Sequence, residues 1–318
     1  MSARSSKRPM AWQQLVPWLL MTLGTSFCLF VVPQLFDSSR GWWLAPALFV
    51  ISGYTQFAVV HEGIHGNLHP DVGTNRALGR LSSVLFGSPF AFLRDAHLLH
   101  HKYNRKLGHP DLFEPASEGR TAARARYLFE LFFGLYFKEF GVAVLCLLPR
   151  RWWSNAEAAA RGDLNARLLA GIARDSMIGQ VRVDALCIMT VHAVSAALYW
   201  HLPAPFLVML LGRAFVVSLH DNAYHYRTDP DVVLYARNLR LPRLLSVLLL
   251  HFNYHGIHHL APGLAWHRLP KEFERRRAVM AGSVPQATLA QLYGPFPLGE
   301  TYVDADIQSV AAEWSHER

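Results

Sequence analysis

Residues 251–259 read HFNYHGIHH, and these four histidines in nine positions (His251, His255, His258, His259) decide how the rest of the chain is read. His255, His258 and His259 are spaced i, i+3, i+4. On a helix such positions share one face, about 5–6 Å apart at Cβ, so three imidazoles point into one small volume. Neutral imidazole is the commonest protein ligand for zinc, copper, iron and nickel. Upstream, His97, His100 and His101 repeat the H-x-x-H-H spacing, and His61 and His65 form H-x3-H. His225 stands alone. A single histidine is usually a packed core residue or a surface residue. Eight of seventeen in three spaced boxes call for metal binding instead.

The chain has 318 residues, 52% of them hydrophobic and only 17% charged, with a positive mean hydropathy. Cys28, Cys146 and Cys187 sit in apolar surroundings without a C-x-x-C pair. That excludes a disulfide framework and a cysteine-held zinc, rubredoxin or ferredoxin site. The net charge is +8, but the basic residues flank apolar runs, as in a protein facing anionic lipid on its cytoplasmic side. Nucleic acid is not the implied partner.

Residues 15–36 are uncharged and long enough to cross a bilayer, which takes about 20 residues. This exceeds the short apolar core of a signal peptide. A second run, 42–62, starts at the interface-type pair Trp42 and Trp43 and ends in His61 and His65. Residues 78–93 are amphipathic and lead into the box at His97. Residues 127–148 are apolar but carry Glu130, Lys138 and Glu139, costly at a bilayer centre, so an interfacial helical hairpin is expected. Residues 150–182 read as helical and water-facing. Two more spans follow at about 183–200 and 205–222, the latter flowing into His220 and His225.

The short loops at 37–41 and 201–205 carry only Arg40 between them, so the positive-inside rule turns them outward and the remainder toward the cytoplasm. The sequence thus predicts an all-α integral membrane fold with four transmembrane helices, two plus two. A cytoplasmic helical cap (63–182 and 223–318) holds the histidines, and 1–318 forms a single domain. Every histidine box falls at one face of the membrane, which the hydropathy argument did not require.

A catalytic zinc takes three protein ligands, whereas His61, His65, His97, His100, His101, His225, His255, His258 and His259 are enough for two six-coordinate ions with open positions. Imidazole alone does not name the metal. Soluble di-iron bundles use two Glu-x-x-His motifs, and this chain has only Glu62-Gly-Ile-His65.

The three boxes, their order and the two-plus-two topology resemble the integral-membrane fatty acid desaturase and hydroxylase superfamily. The likeness runs from the second apolar run to about Pro270 and is closest around Asn253 to Leu260 and Trp266 to Pro270. The resemblance implies a histidine-rich di-iron site that activates O₂ and attacks an unactivated C–H bond of a fatty acyl chain. It also implies a lipid-accessible tunnel and a separate electron donor of ferredoxin, rubredoxin or cytochrome b5 type. The acyl group rides on lipid, coenzyme A or a carrier protein. The nine histidines above become iron ligands, His225 matching the family's additional ligand after the fourth span. The family often has Asn four residues before that histidine, where this chain has Asp221 with Asn222 beside it. Glu62, Asp221, Asn222, His220, His251 and Asn253 are candidates to hold ring N–H groups or a metal-bound water. The expected location is a bacterial inner membrane, with termini and site cytoplasmic.

Desaturase, hydroxylase, acetylenase and carotenoid oxygenase share these boxes. Two other classes are set against them. HEGIH satisfies the zinc-protease signature H-E-x-x-H, with Glu62 as general base, but it leaves six clustered histidines idle. A metal transporter would place its ligands at the midplane of spanning helices.

Overall fold

The computed structural model describes residues 11–35, 43–104, 110–162, 164–229, 232 and 234–300. The predicted outer loop at 37–41 and the basic N-terminal residues before position 11 lie outside these. Two helical pieces, α1 (Trp12–Ser26) and α2 (Val32–Leu35), are joined by a π turn, Phe27–Val31. The helices α3 (Leu44–Ile64), α4 (Val72–Phe86) and α5 (Phe90–Tyr103) follow. After a two-residue strand β1 (Leu112–Phe113) come α6 (Arg120–Phe129), α7 (Leu135–Leu147), α8 (Ala156–Ala160) and α9 (Leu164–Ile172). The long helices α10 (Asp175–Leu198) and α11 (Pro203–Ala223) precede α12 (Arg243–Leu248) and α13 (His255–Leu260). The described chain ends with α14 (Leu269–Arg275), α15 (Val284–Ala290) and β2 (Phe296–Pro297).

Among the described residues the fold is all-α apart from the β1–β2 pair and an isolated bridge between Arg240 and Ser283, and four helices are long and apolar enough to cross a membrane. They are Trp12–Leu35, Leu44–Ile64, Asp175–Leu198 and Pro203–Ala223, close to the predicted spans. The third begins at Asp175 rather than near 183, because charged side chains do not interrupt backbone hydrogen bonding once they find partners. The expected hairpin at 127–148 is absent. Helix continues from α6 through a π turn (Glu130–Gly134) into α7. Gly134 does not break the helix; a Cβ there would collide with the Glu130 carboxylate, so glycine makes room for that side chain. Residues 150–182 are not simply water-facing either: Trp153, Ile172, Ala173 and Val181 are buried in a cluster with Val142 and Cys146.

The chain divides into two compact units, residues 1–97 with 135–217, and residues 98–134 with 218–318. In the first, Pro33 has no N–H to offer the carbonyls of Leu29 and Cys28, four and five residues back. Two hydroxyls, one on α10 and one just after it, replace it: Ser195 donates to the Leu29 carbonyl (2.9 Å) and Tyr199 to that of Cys28 (2.7 Å). α3 and α4 cross at Gly63 and Gly79, where a Cβ on Gly63 would lie 2.9 Å from the Gly79 Cα.

Arg213 of α11 is only 1% exposed. It donates to the carbonyls of Leu85 and Phe86 and to Gln56 Oε1, and lies between the rings of Phe49 and Phe86. A cation thus closes the C-terminal end of α4, where the helix dipole favours it; Gly87, at φ +102°, then turns the chain into α5. At the start of α5, Asp184 of α10 accepts from the Phe90 backbone N–H and from Arg80 Nε (2.9 Å). The helix that carries the central histidine box therefore starts from a corner held by two buried charges.

In the second unit, Tyr127, Leu131, Tyr226 and Phe296 form a small core. Tyr127 donates to the Gln291 carbonyl (2.9 Å) and Tyr226 to that of Gly294 (2.7 Å). The Gln291 side chain donates to the Leu219 carbonyl and accepts from Asn222 (both 2.7 Å). These bonds hold the chain through residues 219–226 as it leaves α11.

Candidate metal centre

Each histidine box is delivered by a helix end. His61 lies in the last turn of α3 and His65 immediately follows it. His97, His100 and His101 fall on the second half of α5, at the i, i+3, i+4 spacing that puts them on one face. His255, His258 and His259 sit on α13, whose start is tightly built. Asn238 Oδ1 accepts the Ile257 N–H (3.0 Å), and Gly256 allows the Ala236 carbonyl and Asn238 to approach where a Cβ would be 2.5 Å from that oxygen.

In the first unit, His61, His65 and His97 form a three-ring group with centroids 4.5–4.9 Å apart, and the Nε2 atoms of His65 and His97 are 2.9 Å apart. In the second, His100, His225, His255 and His259 place their ligand nitrogens within 4.8 Å of one another. Nε2 separations there are 3.0 Å for His225–His255, 3.2 Å for His255–His259 and 3.3 Å for His100–His259. His101 and His258 pair beside them at 3.0 Å. All nine predicted ligands are thereby gathered into histidine groups. His225 joins its group although α11 ends at Ala223: the chain leaves the helix in turns, with the His225 N–H donating to the Asn222 carbonyl (3.0 Å).

Metal fits this arrangement. Two nitrogens bound at right angles to one ion at about 2.1 Å lie about 3 Å apart, the spacing seen here. Neutral imidazole carries one N–H. With that proton on Nδ1, four Nε2 lone pairs face a common centre, which is repulsive unless a cation sits among them. Burial, reinforced by His101, His255, His225 and His100, holds the His259 ring well below the ordinary imidazole pKa. It is neutral, as a ligand must be.

The other candidates separate into roles. Asn222 is committed to Gln291. Asn253 is buried, donates to the Leu239 carbonyl (3.0 Å) and accepts from Ser246 (2.6 Å), so it braces the chain before α13. His251 pairs with the Ser246 hydroxyl (2.7 Å) in a left-handed backbone conformation at φ +53°. His220 points its Nε2 at the Tyr224 hydroxyl (2.9 Å). Asp221 is half-buried in the last turn of α11, and Glu62 is buried in the last turn of α3.

Two residues outside the sequence reading also shape the site. Phe252 stacks on His255 (4.6 Å, 21° between planes), and the Tyr224 ring lies 5.0 Å from it. Burial, with the Asp221 carboxylate, raises the Tyr224 phenol well above its ordinary value. Both residues lie within three positions of a histidine ligand candidate, the only local signal that could have marked them.

The sequence pattern of the family described as fatty acid desaturase matches residues 40–288, which takes in every histidine discussed here. No curated protein matches the chain significantly. With four candidate spans and converging histidines, the chain belongs to the fatty acid desaturase family and is a membrane oxidoreductase of the desaturase and hydroxylase type.

Proposed function

We propose that the protein binds two iron ions through its nine grouped histidines and uses O₂ to desaturate a fatty acyl chain. One ion is held by His100, His225, His255 and His259 of the second unit, and His61, His65 and His97 of the first are ligands of the other. The observation that carries this reading is the convergence within 4.8 Å of four imidazole nitrogens, from the buried His225, His255 and His259 and the half-buried His100. Bound iron supplies O₂ activation and the power to take hydrogen from an unactivated C–H bond.

The chain's own contribution is electrostatic and steric. An all-histidine ligand set is neutral, so it leaves the ions' charge largely uncompensated and favours an electrophilic oxidant. Phe252 and the buried Tyr224 ring cover His255 and keep water from that ligand. The ligands come from the ends of spanning helices, His65 just after α3 and His225 two residues beyond α11, as suits an active site at the membrane face rather than a transport site at its midplane. A zinc protease built on HEGIH would have no use for the four-histidine group of the second unit. A separate one-electron donor of ferredoxin, rubredoxin or cytochrome b5 type supplies reducing equivalents, and the site faces the cytoplasm.

The test is metal analysis of detergent-purified protein, with product analysis by mass spectrometry after supply of acyl substrates, donor and O₂. About two irons per chain and a new double bond are expected. One zinc with no iron, and no activity restored by iron, overturns the reading. A hydroxylated or acetylenic product keeps the metal assignment and changes the reaction.

A further inference from the structure

The corner between α7 and α10, in the first unit, has no part in the metal chemistry and its own composition. After α7 the chain runs Leu147-Leu148-Pro149-Arg150-Arg151-Trp152-Trp153, with a 3₁₀ turn at Arg150–Trp152. Its two tryptophans point opposite ways. Trp153 is buried and donates its indole N–H to the Leu148 carbonyl (3.3 Å), whereas Trp152 is 64% exposed. Val144, Leu147 and Leu148 are exposed as well.

This corner is fixed to the start of a membrane span. Arg182 of α10 donates to the carbonyls of Cys146 (3.2 Å) and Leu148 (3.3 Å). Arg150 donates to the Ala173 carbonyl (3.2 Å) and pairs with Asp175, the first residue of α10. The end of α7 therefore lies level with the first turns of α10, and the exposed Val183 and Leu186 continue the apolar surface along that span. From 144 to 182 there are six arginines against Glu157, Asp163 and Asp175. Arg151 and Arg174 are exposed.

Aliphatic side chains level with a span, an outward tryptophan and surplus arginine are what an interfacial lipid contact needs. Acyl chains cover the leucines, the indole sits among headgroups, and guanidinium groups meet phosphate. We propose that the Leu147–Trp152 corner, with Arg151 and Arg174, is a binding site for the headgroup of an anionic phospholipid of the membrane leaflet. The occupant is lipid rather than protein because the apolar face is continuous with the lipid-facing wall of α10 and its charge complements an anionic headgroup. The site orients the cap side of α10 against the leaflet surface and does not depend on iron being the metal.

Two measurements on the full-length protein test it. In the first, a Cys187→Ser chain carries a nitroxide at Leu148→Cys in nanodiscs, Cys28 and Cys146 being buried. Power saturation should place the label at headgroup or upper acyl depth. A label as accessible to a water-soluble relaxant as one in bulk water overturns the proposal. In the second, phosphatidylglycerol and phosphatidylcholine are titrated into the detergent-purified protein and followed by native mass spectrometry. The protein should prefer phosphatidylglycerol; Arg151→Gln should weaken it roughly fivefold, and Arg151→Gln with Arg174→Gln roughly 25-fold, at about fivefold per arginine. Arg151→Lys should keep most of the preference. Equal affinity of the parent for the two lipids, or an undiminished preference in a folded double variant, overturns it.

Discussion

Arg213 and His259 are both buried nitrogen-rich side chains, and the protein treats them in opposite ways. Arg213 finds its partners in the chain: carbonyls at the end of α4, the Gln56 side chain and two aromatic faces. His259 and its neighbours turn their Nε2 atoms on one another at 3.0–3.3 Å. A buried charge satisfied by carbonyls is a structural device, complete without a ligand. A ring of neutral imidazoles with converging lone pairs is incomplete, and a cation completes it. The same contrast divides the predicted helper residues: Asn222 and Asn253 spend their amides on the chain and so belong with Arg213.

If the contrast holds, removing one of the converging rings has the largest effect. His255→Ala and His225→Ala should each lose metal and abolish turnover, by more than the roughly 10–100-fold typical of losing an outer hydrogen-bond partner. His220→Ala, whose ring is paired with Tyr224 instead, should keep most of both. Metal content per folded chain and turnover, measured side by side, decide this. Metal loss in His220→Ala with retention in His225→Ala would reverse the assignment.

A smaller effect is expected at the satisfied cation. Arg213→Met leaves the Leu85 and Phe86 carbonyls buried without that donor, which costs about 1–3 kcal/mol. Thermal unfolding in detergent should show the loss, while bound metal per folded chain stays at the parent level. If this variant lost metal as fully as His255→Ala, the division between structural and ligand-seeking groups would fail.

The smallest effect lies at the surface, where charges are neither buried nor converging. On α14, hydrogen bonds from Arg275, with support from Arg276, hold the Glu272 carboxyl at about 2, below its usual 4.5. Because the folded value is depressed, its stabilising contribution is complete above about pH 4.5 and is lost as pH falls toward about 2. Glu272→Gln should lower the thermal midpoint near neutrality by an amount equivalent to no more than about 1 kcal/mol, since such pairs are screened by solvent. The gap from the parent should close as pH falls through that window. A gap that widened in acid would show that Glu272 is not stabilised in its charged form.

Composition, apolar run length and histidine spacing are one-dimensional properties, and each was legible in the chain. A bilayer needs a fixed length of apolar helix, and a helix fixes which side chains share a face. The all-α class, four spans and three boxes therefore follow from residue order alone. Where a helix ends was less legible. Charges at 175–184 suggested a boundary that Arg80, Arg150 and the Phe90 N–H remove by pairing with Asp175 and Asp184. The tertiary structure alone decided which histidines meet, such as His225 with His255 and His101 with His258, 30 and 157 residues apart. It alone showed that Asn222 binds the Gln291 side chain and Asn253 the Leu239 carbonyl, and that Trp152 faces out while Trp153 faces in. Each depends on a partner distant in sequence, and a local pattern specifies the group to be satisfied without naming what satisfies it.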